Sequence, residues 1–377
     1  MDEQLENRAL WLSSFSSPPE VVCLPVPTVT QGSAVIRVEA SFLTPYTDAV
    51  HSGKIAALNL KPPFVPNPGA IGRVHAVGSD SVKLKHGDLV FVDSTVRARD
   101  DPKVIIMQGH HGGDDTEMHR KLMHEWRDGS LQQFQKVPLE NCFLLNEQRL
   151  LGELKYNPAD LTLLVVYMVA AGATIEAANI KAGETIAIGP SGGSFGGAAV
   201  ELTLALGANV IALGRNKHKL EAMKLALGSP DRLQYAVMTG DFESDAAAIK
   251  ALAPETGIDV YNDWTPSEFA TPLYLSAASH ALKGNGKVVM SGGAHGDIVF
   301  PHLAMLHKNL NMMGKWMYHP ATAQLVINMV TAGTLKIGKK NRAEVAAFSL
   351  DAHHAAVENA AKNGGWGNFT VITPHAK

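Results

Sequence analysis

With only Cys23 and Cys142 in 377 residues, the chain has too few thiols for a disulfide framework, and neither stands in a CxxC or Cys/His spacing. Both read as ordinary buried residues. A large excess of charge is missing too: the formal net charge is -3, which leaves no basic field to hold a nucleic acid. Long apolar runs are scarce. The longest, 161–173 and 198–206, fall short of the roughly 18 residues a membrane span requires, so no membrane partner is expected. The opening MDEQLENRALW is acidic and has no apolar signal core, which reads as a cytoplasmic chain. Zinc-type spacing is absent as well. The histidines cluster only in GHHGGDDTEMHRKLMH (109–124) and DAHH (351–354), neither an HExxH nor another zinc pattern, and both read as solvated loops.

What is present is a two-part rhythm. Hydrophobic content of 46% and charged content of 18% are globular values, and the length allows two domains. The first 150 or so residues alternate short strands with turns: VVCLPVP, SAVIRVEAS, GRVHAVGS and GDLVFVDS, the pattern of a β-rich, barrel-like unit. A polar segment, 97–129, interrupts it and reads as a surface excursion. From Pro158 a helical pattern begins, ADLTLLVVYMVAAGATIEAA, with Asp160 placed to cap it. Strands and helices then alternate from ETIAIG to GKVVMSGG, which predicts a parallel, doubly wound α/β sheet over 158–310. The expected domains are 1–157, 158–310 and a returning segment, 311–377, that ends in a helix and a strand.

The densest signal is AIGPSGGSFGGAAVELTLALGANVIALGRN (187–216). Gly189, Gly192, Gly193, Gly196 and Gly197 crowd the junction between an apolar strand and a helix. A helix amino end offers free N–H groups and a partial positive charge that suit a pyrophosphate, and glycine lets the phosphate reach the backbone. The turn therefore reads as a nucleotide site built from Ser191, Gly192, Gly193, Ser194, Phe195 and Gly196. The next strand selects the nucleotide. Where an NAD site places Asp or Glu for the ribose, this chain has Gly214, Arg215, Asn216, Lys217 and Lys219, cationic and amide donors that suit a 2′-phosphate. The expected cofactor is NADP(H).

This order of parts resembles the medium-chain dehydrogenase/reductase superfamily over nearly the whole chain. GRVHAVGSDSVKLKHGDLVFV, NIKAGETIAIGPSGG and FSLDAHHAAVENAA match its catalytic domain, its entry to the cofactor domain and its carboxy-terminal helix. RDGSLQQFQKVPLENC, ALGRN and GKWMY resemble alcohol-dehydrogenase-like and quinone-oxidoreductase-like members of filamentous fungi. The resemblance implies a Rossmann-type sheet inserted into a β-rich GroES-like catalytic domain, with a homodimer as its usual assembly. The glycine loop is one residue longer than usual, with Pro190 in the customary Ala position.

The resemblance also frames the metal question. Zinc-dependent relatives bring a Cys, a Gly-His-Glu and a further Cys or Asp. The matching stretches here, SFLTPYTDAVHSG and PNPGAIGRV, have Thr44 for the Cys and Pro68 and Gly69 for the His-Glu, which predicts a zinc-free member. Without a Lewis acid, hydrogen-bond donors must stabilise the oxyanion and deliver the proton. Tyr46 stands where zinc-type relatives carry a proton-relaying Ser or Thr, with Asp48, His51 and Lys54 on the same element; Tyr46, His51 and Lys54 are the catalytic candidates.

Thr44, Tyr167, Trp316 and Tyr318 are the implied substrate-pocket residues. Ser291, Gly292 and Gly293, with Asn262 and Asp263 on the preceding strand end, are placed beside the nicotinamide. The expected activity is NADPH-dependent reduction of an activated C=C or a carbonyl in a small organic substrate. A metal-free carbonyl reductase or alcohol dehydrogenase is the alternative, and an NADP(H)-binding protein without turnover is the rival of another class. A methyltransferase would favour an acid at Gly214–Arg215.

Overall fold

The computed structural model describes residues 6–228 and 230–376. Two compact units emerge. The first comprises residues 1–165, 337–364 and 368–377, and the second 166–336 with Gly365–Gly367.

In the second unit six parallel strands lie in the order Leu233–Val237, Asn209–Gly214, Thr185–Gly189, Ile258–Asp263, Leu282–Met290, Asn311–Gly314. Counted along the chain this is 3-2-1-4-5-6, the doubly wound dinucleotide arrangement. Ile186, Ile188, Val210, Ile211, Val260 and Val288 are all buried, as expected of strands covered on both faces. Ala187, Ile211, Leu213, Tyr261 and Val288 form one core with Ala246, Ile249, Leu275 and Ala278 of two covering helices. The direction of strand addition reverses beside Thr185–Gly189, so the glycine turn opens at the topological switch point where such sheets bind ligands.

The first unit is β-rich. Its main sheet runs Glu344–Phe348, Asn368–Ile372, Ser33–Leu43, Ala70–Val77, Leu89–Val92, Cys142–Leu144, with Phe134–Pro138 also paired to Ser33–Leu43. A hairpin of Glu6–Trp11 and Glu20–Pro25 stands apart from it. This is the GroES-like plan, and the chain as a whole is the α/β fold expected.

Several boundaries differ from the sequence reading. The cofactor unit extends past 310 to 336, because Asn311–Gly314 adds to the edge of its sheet and helix Pro320–Ala332 follows. Asn157, not Asp160, caps the helix Pro158–Leu161; Asp160 completes a capping box by accepting from the Asn157 N–H. The helical run Pro158–Ala177 is in fact long and apolar enough to cross a membrane, yet most of it is buried inside the fold, as in a core helix. The segment 97–129 is not a solvated excursion. It forms a hairpin of Thr95–Arg97 and Ile105–Met107 and a helix Glu117–Glu125, with Ile106, Gln108, His110 and His119 buried. His353 is buried as well. Cys142 is half-buried, whereas Cys23 is exposed at the edge of its hairpin.

Candidate functional site

Strand Thr185–Gly189 ends in the turn 190–193, and helix Ser194–Ala205 begins with Gly193 as its N-cap and no side-chain cap. Its first N–H groups therefore lack intrahelical partners. The structure sorts the glycines. A methyl group on Gly196 would lie 2.1 Å from the Pro190 carbonyl oxygen, and one on Gly189 would lie 2.8 Å from Leu213. These two let the helix and neighbouring strand pack closely. A methyl on Gly192 or Gly193 would meet nothing, and both residues are exposed. Those two form the approachable backbone. Ser191 is a buried brace: its N–H and hydroxyl both donate to the Leu213 carbonyl, at 2.9 and 3.0 Å. Ser194, at the first helical position, holds a buried hydroxyl without a hydrogen-bond partner among the described residues. An unsatisfied buried hydroxyl at a helix amino end, next to two open glycines, fits an anionic dinucleotide diphosphate.

The second strand delivers Gly214 and an exposed Arg215. Its guanidinium carbon lies 5.8 Å from the Phe269 ring centroid, a cation–π contact that orients it. Among the described residues no carboxylate forms an ion pair with Arg215. Asn216 already has a task, since its side chain caps helix Lys217–Ala226 by accepting from the Lys219 N–H at 3.1 Å. Lys217 approaches Glu221 at 3.7 Å, while the Lys219 side chain is exposed.

On the other side of the switch point, the Ser291 N–H donates to the Asp263 carbonyl and the Gly293 N–H to the Thr265 carbonyl. A methyl on Gly292 would stand 2.4 Å from the Thr265 oxygen, so glycine is required for this close approach. Asn262 and Asp263 are anchors. Asn262 donates to the Val289 carbonyl and accepts from the Trp264 indole N–H at 2.6 Å. Asp263 accepts from the Tyr261 and Thr265 hydroxyls, and burial raises its carboxyl above the usual range. Trp264 stacks on Phe195 with centroids 5.9 Å apart and planes at 17°. Sequence reasoning missed Trp264 and Phe269, since nothing in their spacing marks a ring that becomes a neighbour only in the folded sheet.

In the first unit, Tyr46 caps the short helix Thr47–His51. Its half-buried ring lies 6.0 Å from the His110 ring and packs on a cluster of Leu12, Val50, Leu60 and Phe64. Burial raises the phenol above its ordinary range, opposed by a hydrogen bond with Thr44. Tyr46 is thus a protonated donor at neutral pH. Thr44 is buried, and its hydroxyl lies 3.2 Å from that of Thr47.

His51 closes the same short helix and Lys54 follows it, and His51 is near enough to His110 to help lower that ring's pKa. Five residues along, His51 is buried beside a cavity of about 310 Å³ whose lining includes Asp48, Ser52, His353 and His354. Desolvation lowers its pKa to about 4, so it is neutral at pH 7. Lys54 is exposed and pairs with Asp48 at 3.7 Å. His110, read in the sequence as part of a solvated loop, is the imidazole next to Tyr46.

The pocket candidates differ in exposure. Tyr318 is buried, and buried Tyr167 donates its hydroxyl to Glu201. Trp316 keeps an exposed ring. The positions matched to zinc ligands carry no zinc-binding side chain. Thr44, Pro68 and Gly69 supply neither thiolate nor imidazole, and the neighbouring Asn67 amide is engaged by Ser41 and the Phe42 carbonyl at 2.6 and 2.9 Å. Among the described residues no three His, Cys, Asp or Glu side chains converge.

Comparison with known proteins adds to this geometry. Residues 30–147 match the alcohol dehydrogenase GroES-like domain, and residues 195–332 match the zinc-binding dehydrogenase family. The chain is 25% identical to D-xylulose reductase A of Aspergillus niger over 293 residues, which is 76% of this chain and 75% of that protein. D-xylulose reductase A of Aspergillus oryzae is 24% identical over 295 residues, with the same shares covered. Among solved structures, an NAD-dependent alcohol dehydrogenase superposes with a TM-score of 0.77 at 19% identity, covering 97% of this chain and 99% of that one. A structure described as a zinc-binding dehydrogenase of Sinorhizobium meliloti 1021, solved with NADP bound, superposes at 0.75 and 18% identity, covering 98% and 100%. With both units matched in order, the chain belongs to the medium-chain dehydrogenase/reductase superfamily of nicotinamide-dependent oxidoreductases.

Proposed function

We propose that this chain is an NADPH-dependent reductase that works without zinc on an activated C=C or a carbonyl of a small organic substrate. The observation that carries the cofactor choice is Arg215. It stands exposed at the end of the second strand where an acid would hold an unphosphorylated ribose, and Phe269 orients its guanidinium toward no protein carboxylate among the described residues. The superposed structures include an NAD-dependent enzyme as well as one solved with NADP, so the cofactor choice rests on Arg215 alone. When bound, the reduced nicotinamide supplies the hydride. The chain's own residues hold the diphosphate at Gly192, Gly193 and Ser194, and Tyr46 donates a proton or hydrogen bond to the developing oxyanion.

Tyr46 suits that task because burial keeps it protonated. Neutral His51 and exposed Lys54, paired with Asp48, are poorer donors. Carbonyl reduction is the second reading, favoured by the names of the curated relatives, both D-xylulose reductases. A homodimer belongs to the same proposal: the sheet's edge strand Asn311–Gly314 is preceded by exposed Val299, Leu303 and Leu306.

Oxidation of NADPH against a panel of enones, aldehydes and ketoses, with and without a chelator, tests the proposal. Turnover that survives chelation, in protein holding less than stoichiometric zinc, is expected. Loss of both zinc and activity on chelation would overturn the zinc-free reading. Tight NADPH binding without turnover on any substrate would favour a binding protein.

A further inference from the structure

Gly365–Gly367 belong to the cofactor unit, although helix His353–Asn363 and strand Asn368–Ile372 on either side of them belong to the first unit. Their only side chain, Trp366, makes three distinct contacts. Its backbone N–H donates to the Gly192 carbonyl at 2.9 Å. Its indole N–H donates to one oxygen of Glu201 at 2.5 Å, while the other oxygen accepts from the Tyr167 hydroxyl. Its ring occupies the space beside Gly197, where a methyl group would lie 2.2 Å from Cδ1.

Glu201 is buried on helix Ser194–Ala205, a costly place for a carboxyl unless both oxygens are bonded. The Tyr167–Glu201–Trp366 set meets that condition and fixes the indole against the helix. The consequence falls on the turn. A trans peptide puts its C=O and N–H on opposite edges of one plane. A Gly-Gly junction is also the easiest in the chain to rotate, because neither residue carries a Cβ.

We propose that Trp366 is a positioning residue of the dinucleotide loop: by holding the Gly192 oxygen, it sets the Gly193 N–H in the orientation that receives the cofactor diphosphate. The inference rests on the reading of this turn as the cofactor site. It assigns the GGWG segment a role in binding both nicotinamide dinucleotides alike, because the diphosphate is common to them.

The test measures calorimetric affinity for NADPH, NADH and adenosine 2′-monophosphate, which lacks the diphosphate, in the wild type, Trp366→Ala and Gly197→Ala. AMP takes the place of the monophosphate if NADH proves the tighter ligand. Gly197→Ala displaces the indole without removing it. Both variants are expected to weaken NADPH and NADH by the same factor, about tenfold, as for the loss of one good hydrogen-bonding group. The monophosphate should stay within about twofold on the same scale. The KM for NADPH should rise by the factor seen in affinity, with a much smaller change in kcat. Trp366→Phe keeps an aromatic ring beside Gly197 but loses the indole N–H held by Glu201, and its dinucleotide affinity should fall between those of the wild type and Trp366→Ala.

Equal weakening of all three ligands would mean general damage and overturn the proposal. So would unchanged dinucleotide affinity in both variants. A wild type that binds neither dinucleotide would instead refute the reading of the turn itself.

Discussion

In the glycine turn the groups offered to a ligand are backbone atoms and one orphaned hydroxyl, carried by residues within a few positions of each other, with Trp366 as the remote contact on the Gly192 carbonyl. In the helix Thr47–His51 they are side chains, and their surroundings come from remote segments: His110 beside Tyr46, and His353 and His354 beside His51. The ligand-facing groups of the first arrangement are local, as where a strand feeds a helix at a switch point. The second depends on which distant residues the fold brings in. A binding site can therefore be spelled out in one stretch of sequence, while a proton donor is defined by its neighbours.

The sharpest way to break that comparison is at Tyr46. Tyr46→Phe keeps the ring on Leu12, Val50 and Phe64 but deletes the hydroxyl. If that group serves the oxyanion, kcat should fall by roughly a hundred- to a thousandfold, about 2.7–4 kcal/mol in the transition state. Affinity for NADPH should hold, because the turn that binds it is unchanged. A loss below tenfold would make Tyr46 a packing residue, and the β-rich unit would then lack the donor assigned to it.

A smaller effect sharpens the contrast through pH. Burial lowers both His51 and His110 to about 4 from the ordinary 6.5, with nearby histidines adding to the shift. Between those values the unfolded chain binds more protons than the folded one. Stability contributed by keeping these rings neutral is therefore complete above pH 6.5 and is lost as pH falls toward 4. Thermal midpoints at pH 7.5 and 5 should show this loss, and His110→Gln should reduce it. Equal pH dependence in the variant would mean that His110 is not held neutral by its surroundings.

The same contrast explains what could be read from sequence. The Rossmann-type alternation, the strand–turn–helix at the glycines and the place of Arg215 at a strand end are legible because each rests on local sequence: apolar strands, clustered glycine, a turn after the second strand. Within the turn, sequence could not tell the packing glycines, Gly189 and Gly196, from the open ones, Gly192 and Gly193. That distinction lies in Pro190 and Leu213 standing 2.1 and 2.8 Å from methyl groups that are not there. Sequence does not show that Tyr167 bonds Glu201, because that partner lies one helix away in the fold. Histidines read as solvated loops were misjudged for a related reason. The hairpin and helix of 95–125 bury His110 and His119 within a stretch whose composition is mostly polar, which hides their burial from a reading of composition.

The central claim is that Arg215 recognises a 2′-phosphate, and paired titrations of NADPH and NADH against the wild type and Arg215→Ala test it most directly. The account predicts that the wild type prefers NADPH. In the variant NADPH should weaken by about ten- to a hundredfold, the worth of a charge-assisted phosphate contact, while NADH changes little. A wild type that binds NADH as tightly as NADPH, or a variant that loses both equally, would contradict it.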